Sequence, residues 1–188
     1  MLAPMKKQYD KAGPTLVKAL KKRNFDAYYC STADEAVEKV LSLIPEGDTV
    51  SWGGVMTVDE LGIKDRLRQR NQPVIDRDTA KTPEERMAML HQALGCDTFL
   101  MSSNAISEDG QLVNIDGLGN RVAALCFGPR QVIVVAGMNK VAGDLNSAIS
   151  RARHIAAPAN VQRFDTKTPC IVTGQCGDCI SPECNCCQ

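Results

Sequence analysis

Six of the nine cysteines fall within the last nineteen residues: Cys170, Cys176, Cys179, Cys184, Cys186 and Cys187. Cys176-Gly177-Asp178-Cys179 is a C-x-x-C step, a spacing that lets two thiolates reach one metal from a tight turn. The segment lacks apolar periodicity, so ligation is the natural source of its order, because metal binding can drive the folding of such a stretch. Four thiolates can hold zinc in a tetrahedral site or carry an iron–sulfur cluster. The spacing departs from the common bacterial ferredoxin run and contains one C-x-x-C rather than two, so it indicates a metal without selecting between zinc and iron. A disulfide-rich tail is the competing reading. The N-terminus turns polar at Lys6-Lys7 and carries no apolar export segment, which favours reduced thiols. Cys30, Cys96 and Cys126 lie in or beside apolar segments and read as small buried residues.

Two loops carry groups suited to a small anion. Ser51-Trp52-Gly53-Gly54-Val55-Met56-Thr57 runs from a strand through two glycines into a helix, where main-chain N–H groups can approach a phosphate or carboxylate. An ordinary strand-to-helix turn would look the same. The second loop, Asn114-Ile115-Asp116-Gly117-Leu118-Gly119-Asn120-Arg121, offers amides, a carboxylate, a guanidinium and two glycines. Its plain alternative is a hairpin exit capped by Asx turns. Asn139 and Lys140 follow an apolar run and form a third loop. Thr57 and Glu60 beside the first loop, and Asn104 beside the hairpin, complete the ligand candidates. No nucleophile–base arrangement is visible, and His91 and His154 read as surface or packing residues of helices.

These groups need a frame, and the sequence alternates helix and strand. Thr32 with Glu35 and Thr82-Pro83 with Glu85 are helix starts. Short strands are expected at 25–30, 49–52, 73–76, 98–101 and 131–136. One helix is expected from about 57 to 70 with a kink near Gly62. Another has the apolar face Met87, Leu90, Ala93 and Leu94, and a third runs from Leu145 to near Pro158. Residues 105–107 and 111–115 flank Glu108-Asp109-Gly110 as an antiparallel hairpin. Continuous apolar strands between helices imply a mostly parallel sheet covered on both faces, with the hairpin inserted. In such a sheet, ligands bind beyond the carboxyl ends of the strands. The regular pattern stops near Thr166, giving an α/β domain over 1–165 and a cysteine-rich metal-binding tail over 166–188.

Composition narrows the partners. Lys plus Arg and Asp plus Glu both number 22 and aromatics are 4%, which argues against nucleic acid. No apolar stretch approaches the roughly 18–20 residues that cross a bilayer, which argues against a membrane. A cytoplasmic setting is expected; oligomeric state is not readable.

The loops and tail together resemble the lactate-utilisation (LUD) domain family. The resemblance is carried by residues 48–62 (DTVSWGGVMTVDELG), 99–127 (FLMSSNAISEDGQLVNIDGLGNRVAALCF), 132–157 and 168–186. It implies a three-layer α/β/α Rossmann-like fold similar to the sugar-phosphate isomerase and CoA-transferase group. It also implies a link to lactate or other 2-hydroxy-acid utilisation, a small anionic metabolite, and iron–sulfur redox proteins as partners. The tail resembles the family pattern T-P-C-x5-C-x2-C-x6-C, which falls on Cys170, Cys176, Cys179 and Cys186 and leaves Cys184 and Cys187 as extras. An iron–sulfur centre is the cofactor this implies, with zinc as the alternative. Val55 stands where the family's Gly-Gly loop often carries Ser. Two other functions fit the same residues: a non-catalytic binding or assembly module clasped by a four-cysteine zinc, and an isomerase- or transferase-like enzyme acting on a sugar phosphate or CoA ester.

Overall fold

The structure is a computed structural model that describes residues 2–179, 181 and 184–187. The chain divides into two compact units, each assembled from separated segments. One, the sheet unit, comprises Cys30–Ser102 and Asn120–Ala136; the other, the tail unit, comprises Met1–Tyr29, Ser103–Gly119 and Gly137–Gln188.

The sheet unit is a three-layer α/β/α sandwich. Strands β1 (Val50–Trp52), β2 (Val74–Ile75), β3 (Thr98–Met101) and β6 (Gln131–Val134) lie in the order β2-β1-β3-β6, all parallel. Alternation along the strands separates two cores, as a period of two requires. Leu100, Ile133 and Val135 face a cluster with Val37 and Val40 of helix α2 (Ala33–Leu43) and with Val58, Ile63 and Leu67 of α3 (Met56–Glu60) and α4 (Ile63–Gln69). Phe99, Met101, Val132 and Val134 face Ala93 of α5 (Pro83–Ala93) and Ala124 of α6 (Asn120–Cys126). The starts of α2 and α5 are as expected: the Thr32 and Thr82 hydroxyls accept from the N–H groups of Glu35 and Glu85 at 3.2 and 3.1 Å. The expected kink at Gly62 is a full break, where a φ of +67° separates α3 from α4.

In the tail unit, the hairpin of β4 (Ala105–Ser107) and β5 (Leu112–Val113) is antiparallel as expected, with Gly110 at φ +87° in its turn. A parallel partner for β4 was not foreseen: β7 (Val141–Ala142) gives a separate sheet of order β5-β4-β7. Helix α7 (Leu145–Arg151) covers this sheet through Ala148 and continues in a π-turn over Ala152–Ala156 into α8 (Ala157–Val161). The helix therefore passes through Pro158 instead of ending near it. Proline at the second position of α8 follows a wide turn in which the Ala157 N–H reaches back to the Ala152 carbonyl.

Several expectations fail. Of Cys30, Cys96 and Cys126, expected as small buried residues, only Cys96 is buried; Cys30 is half-buried and Cys126 exposed. Residues 25–30 form no strand, because Tyr29 seats its ring over Gly13 of α1 (Ala3–Lys22) and donates to Asp10 at 2.9 Å instead of joining a sheet. Met87, expected on the apolar face of α5, is exposed.

Candidate metal centre and ligand loops

In the sheet unit the first loop leaves β1 at its carboxyl end. The Gly53 N–H donates to the Leu100 carbonyl at 3.0 Å, extending the sheet by one rung. Gly53 is required here by close approach: a Cβ would lie 2.6 Å from Cγ and 2.7 Å from Cδ of Arg121. The Arg121 stem crosses the bare glycine, and Nη1 points at the Ser102 carbonyl beyond the end of β3 at 3.5 Å. Asn120 and Arg121, read as loop residues, in fact open α6. Gly53, Arg121 and the end of β3 thus meet at the carboxyl edge of the parallel sheet. Gly54 and Glu60 are exposed and Thr57 half-buried on the same strand-to-helix passage. Val55 is 2% exposed and packs into the core, so this position supplies no hydroxyl.

The other loop candidates lie in the tail unit. The Asn104 side-chain carbonyl accepts from the Ile115 N–H at 3.1 Å, joining the residue before the hairpin to the loop after it. Asp116 is buried, and Asn114 Oδ1 is buried without a hydrogen-bond donor among the described residues. Gly117 and Gly119 lie half-buried beside Asp116. Asn139 and Lys140 form a 3-10 turn over Met138–Lys140. Sequence reasoning missed Arg151, whose guanidinium donates from Nε to the Asn139 carbonyl at 3.1 Å and from Nη1 to the Asn104 carbonyl. No motif marks it; only the fold brings its helix to both loops.

The tail begins with α9 (Pro169–Thr173), which Gly174 ends at φ +68°. Asp178 within the C-x-x-C step takes a φ of +51°, the left-handed geometry of a tight turn. Arg153 of the π-turn pairs with Asp178 and anchors that turn. Cys170, Cys176, Cys179, Cys184 and Cys186 all line one cavity of about 60 Å³, walled on its apolar side by Ala157, Pro158 and Val161. Cys187 turns away, its thiol donating to the Cys184 carbonyl at 2.8 Å. Burial pushes the Cys186 thiol up to about 11, reinforced by Cys184, Cys170 and Cys176. The buried Thr168 hydroxyl lies 3.2 Å from Cys170 Sγ.

Among the described residues no group of three or more His, Cys, Asp or Glu side chains is arranged to hold a metal ion. Five cysteine residues nonetheless border one partly apolar cavity, and cysteine is the residue type on which a thiophilic centre would draw. Asn185 Nδ2, on the same lining, is a buried donor without an acceptor among the described residues. A cavity needs roughly 10–15 Å³ to hold one water, so this one has room for a handful of water-sized groups.

Fold and site thus define a three-layer α/β protein with a cysteine-bordered cavity in its tail unit, consistent with the sequence resemblance. The chain belongs to the LUD domain family, whose match spans residues 14–188. Membership ties it, at the level of the family, to lactate utilisation. No curated protein and no solved structure matches the chain. Among the described residues no helix is long and apolar enough to cross a membrane.

Proposed function

We propose that this LUD-domain protein serves the oxidation of lactate or a related 2-hydroxy acid as a redox subunit, binding a small anionic metabolite and carrying an iron–sulfur or other metal centre in its tail. The observation that supports the reading is that Cys170, Cys176, Cys179, Cys184 and Cys186 all line one small cavity. Cys170, Cys176, Cys179 and Cys186 are the preferred ligands, with Cys184 the alternate donor. An iron–sulfur centre there supplies one-electron transfer, and donors such as Thr168 and Asn185 would tune it from outside the ligand set. Gly53, Asn120 and Arg121 of the sheet unit, and separately the asparagine-rich loops of the tail unit, are two distinct sets of candidate contacts for the metabolite. Iron–sulfur proteins are the partners this reading implies.

Anaerobic purification followed by metal analysis and an absorption spectrum tests it. Iron and sulfide with visible absorption are expected, lost on joint replacement of Cys176 and Cys179 by Ser. A colourless protein with stoichiometric zinc would overturn the redox role. That outcome would favour a second reading, a zinc clasp, for which the anchoring of the tail by Arg153–Asp178 is the supporting observation.

A further inference from the structure

One face of α7 and the following π-turn borders an open hollow of about 440 Å³, lined by Asn146, Ser147, Ser150, Arg151, His154 and Ile155. Five of these six side chains can hydrogen-bond and none is acidic. The Arg151 guanidinium spends two of its N–H groups on the carbonyls of Asn139 and Asn104. It forms no salt bridge with a carboxylate among the described residues, and burial alone draws its pKa down. A partly buried guanidinium without a carboxylate partner keeps N–H groups with which an anion can pair. The two carbonyls also fix the plane of the fork, so its remaining donors are pre-oriented for a planar, two-oxygen partner.

His154 lies one turn further on. Its Nδ1 is 2.9 Å from the Ser150 carbonyl, which can only accept, so Nδ1 carries the proton. In the neutral ring Nε2 is then an acceptor. Arg151 and His154 line the same hollow, so a small ligand seated there faces both side chains. We infer that Arg151 binds the carboxylate of a small 2-hydroxy acid while His154 accepts from its hydroxyl, with Ser147 and Ser150 flanking the ligand. The inference rests on the reading that this chain binds a small 2-hydroxy acid, and it names the residues that anchor it.

Calorimetric titration of the full chain with L-lactate, pyruvate and inorganic phosphate tests it. L-lactate is expected to bind, and Arg151→Gln to weaken it about tenfold or more, the scale of one hydrogen bond to a charged group. Because Arg151 also braces two loops, a second variant leaves it in place: Ser147→Glu sets a carboxylate one turn away and should abolish lactate binding in a protein with unchanged circular dichroism. His154→Ala should weaken lactate several-fold and pyruvate little. Lactate binding untouched by Arg151→Gln and Ser147→Glu but lost in the Asn120→Ala/Arg121→Ala double variant overturns this site and leaves the metabolite reading standing. Phosphate binding more tightly than lactate overturns the carboxylate assignment. Absence of binding by all three probes at millimolar concentration overturns the site and the metabolite reading together.

Discussion

The main-chain N–H of Cys187 donates to the carbonyl of Asp116 at 3.1 Å, and Asn185 lies against Gly117 within the same unit. The far end of the cysteine tail is therefore laid on the asparagine-rich loop, and the order of one bears on the order of the other. If a metal organises the tail, its removal by a chelator should speed hydrogen exchange at residues 117–119 while the strands of the sheet unit stay protected. Unchanged exchange across the loop would show that the tail holds its place without metal.

Gly53→Ala should destabilise the fold by about 1–3 kcal/mol, the usual cost of overfilling a packed site, because its new methyl meets the Arg121 stem at 2.6 Å. Adding Arg121→Ala should recover much of that loss. A double-mutant cycle by denaturant unfolding measures the coupling, and simple additivity would mean the two residues do not share the space.

Acid stability should depend on Asp97. Its carboxylate accepts from the Thr49 N–H at 2.9 Å and from Arg130 at 2.9 Å, and these bonds hold its pKa below the usual carboxylate range. A depressed folded-state pKa gives stability that is fully present above the unfolded value of about 3.9 and is lost as pH falls through the folded value. Asp97→Asn should thus be less stable at neutral pH and show a shallower loss of stability on acidification below about pH 4. Parallel stability–pH curves for the two proteins would contradict this.

Thiol reactivity should sort the cysteines by place. Cys96 is 2% exposed, its thiol donates to the Thr98 carbonyl at 3.2 Å, and burial raises it to about 11. Alkylation of the native, metal-free protein near pH 8 should spare Cys96 and modify the exposed Cys126 and Cys187 first. Peptide mass spectrometry reads the order, and early labelling of Cys96 would contradict the packing of the second core.

The parallel sheet, its covering helices and the hairpin turn were legible because their signals are local: continuous apolar strands, threonine caps with glutamate three residues on, and an Asp-Gly turn. The clustering of thiols was legible for the same reason, as C-x-x-C is a spacing. What escaped depends on distant partners. Tyr29 leaves its apparent strand because Gly13 offers a flat seat on α1, and a seat made by a missing side chain has no signature in the strand itself. Helix α6 is short and begins at Asn120, after a glycine at φ +77°, so its start reads as more loop. Arg151 is one arginine among several in its segment, and its two carbonyl partners stand 12 and 47 residues away.

The woven order of segments has a consequence for synthesis on the ribosome. The sheet unit has all its strands once residue 136 has emerged, and β6 needs only to slide in beside β3. The first helix, made before everything else, must wait: Arg23 meets Asp109, and Gly110 packs on Ala19, only after the hairpin has appeared. The rest of its unit follows residue 137. The nascent chain should thus gain protection first in its interior segments and last at its two ends, and neither unit can be excised as a single continuous piece.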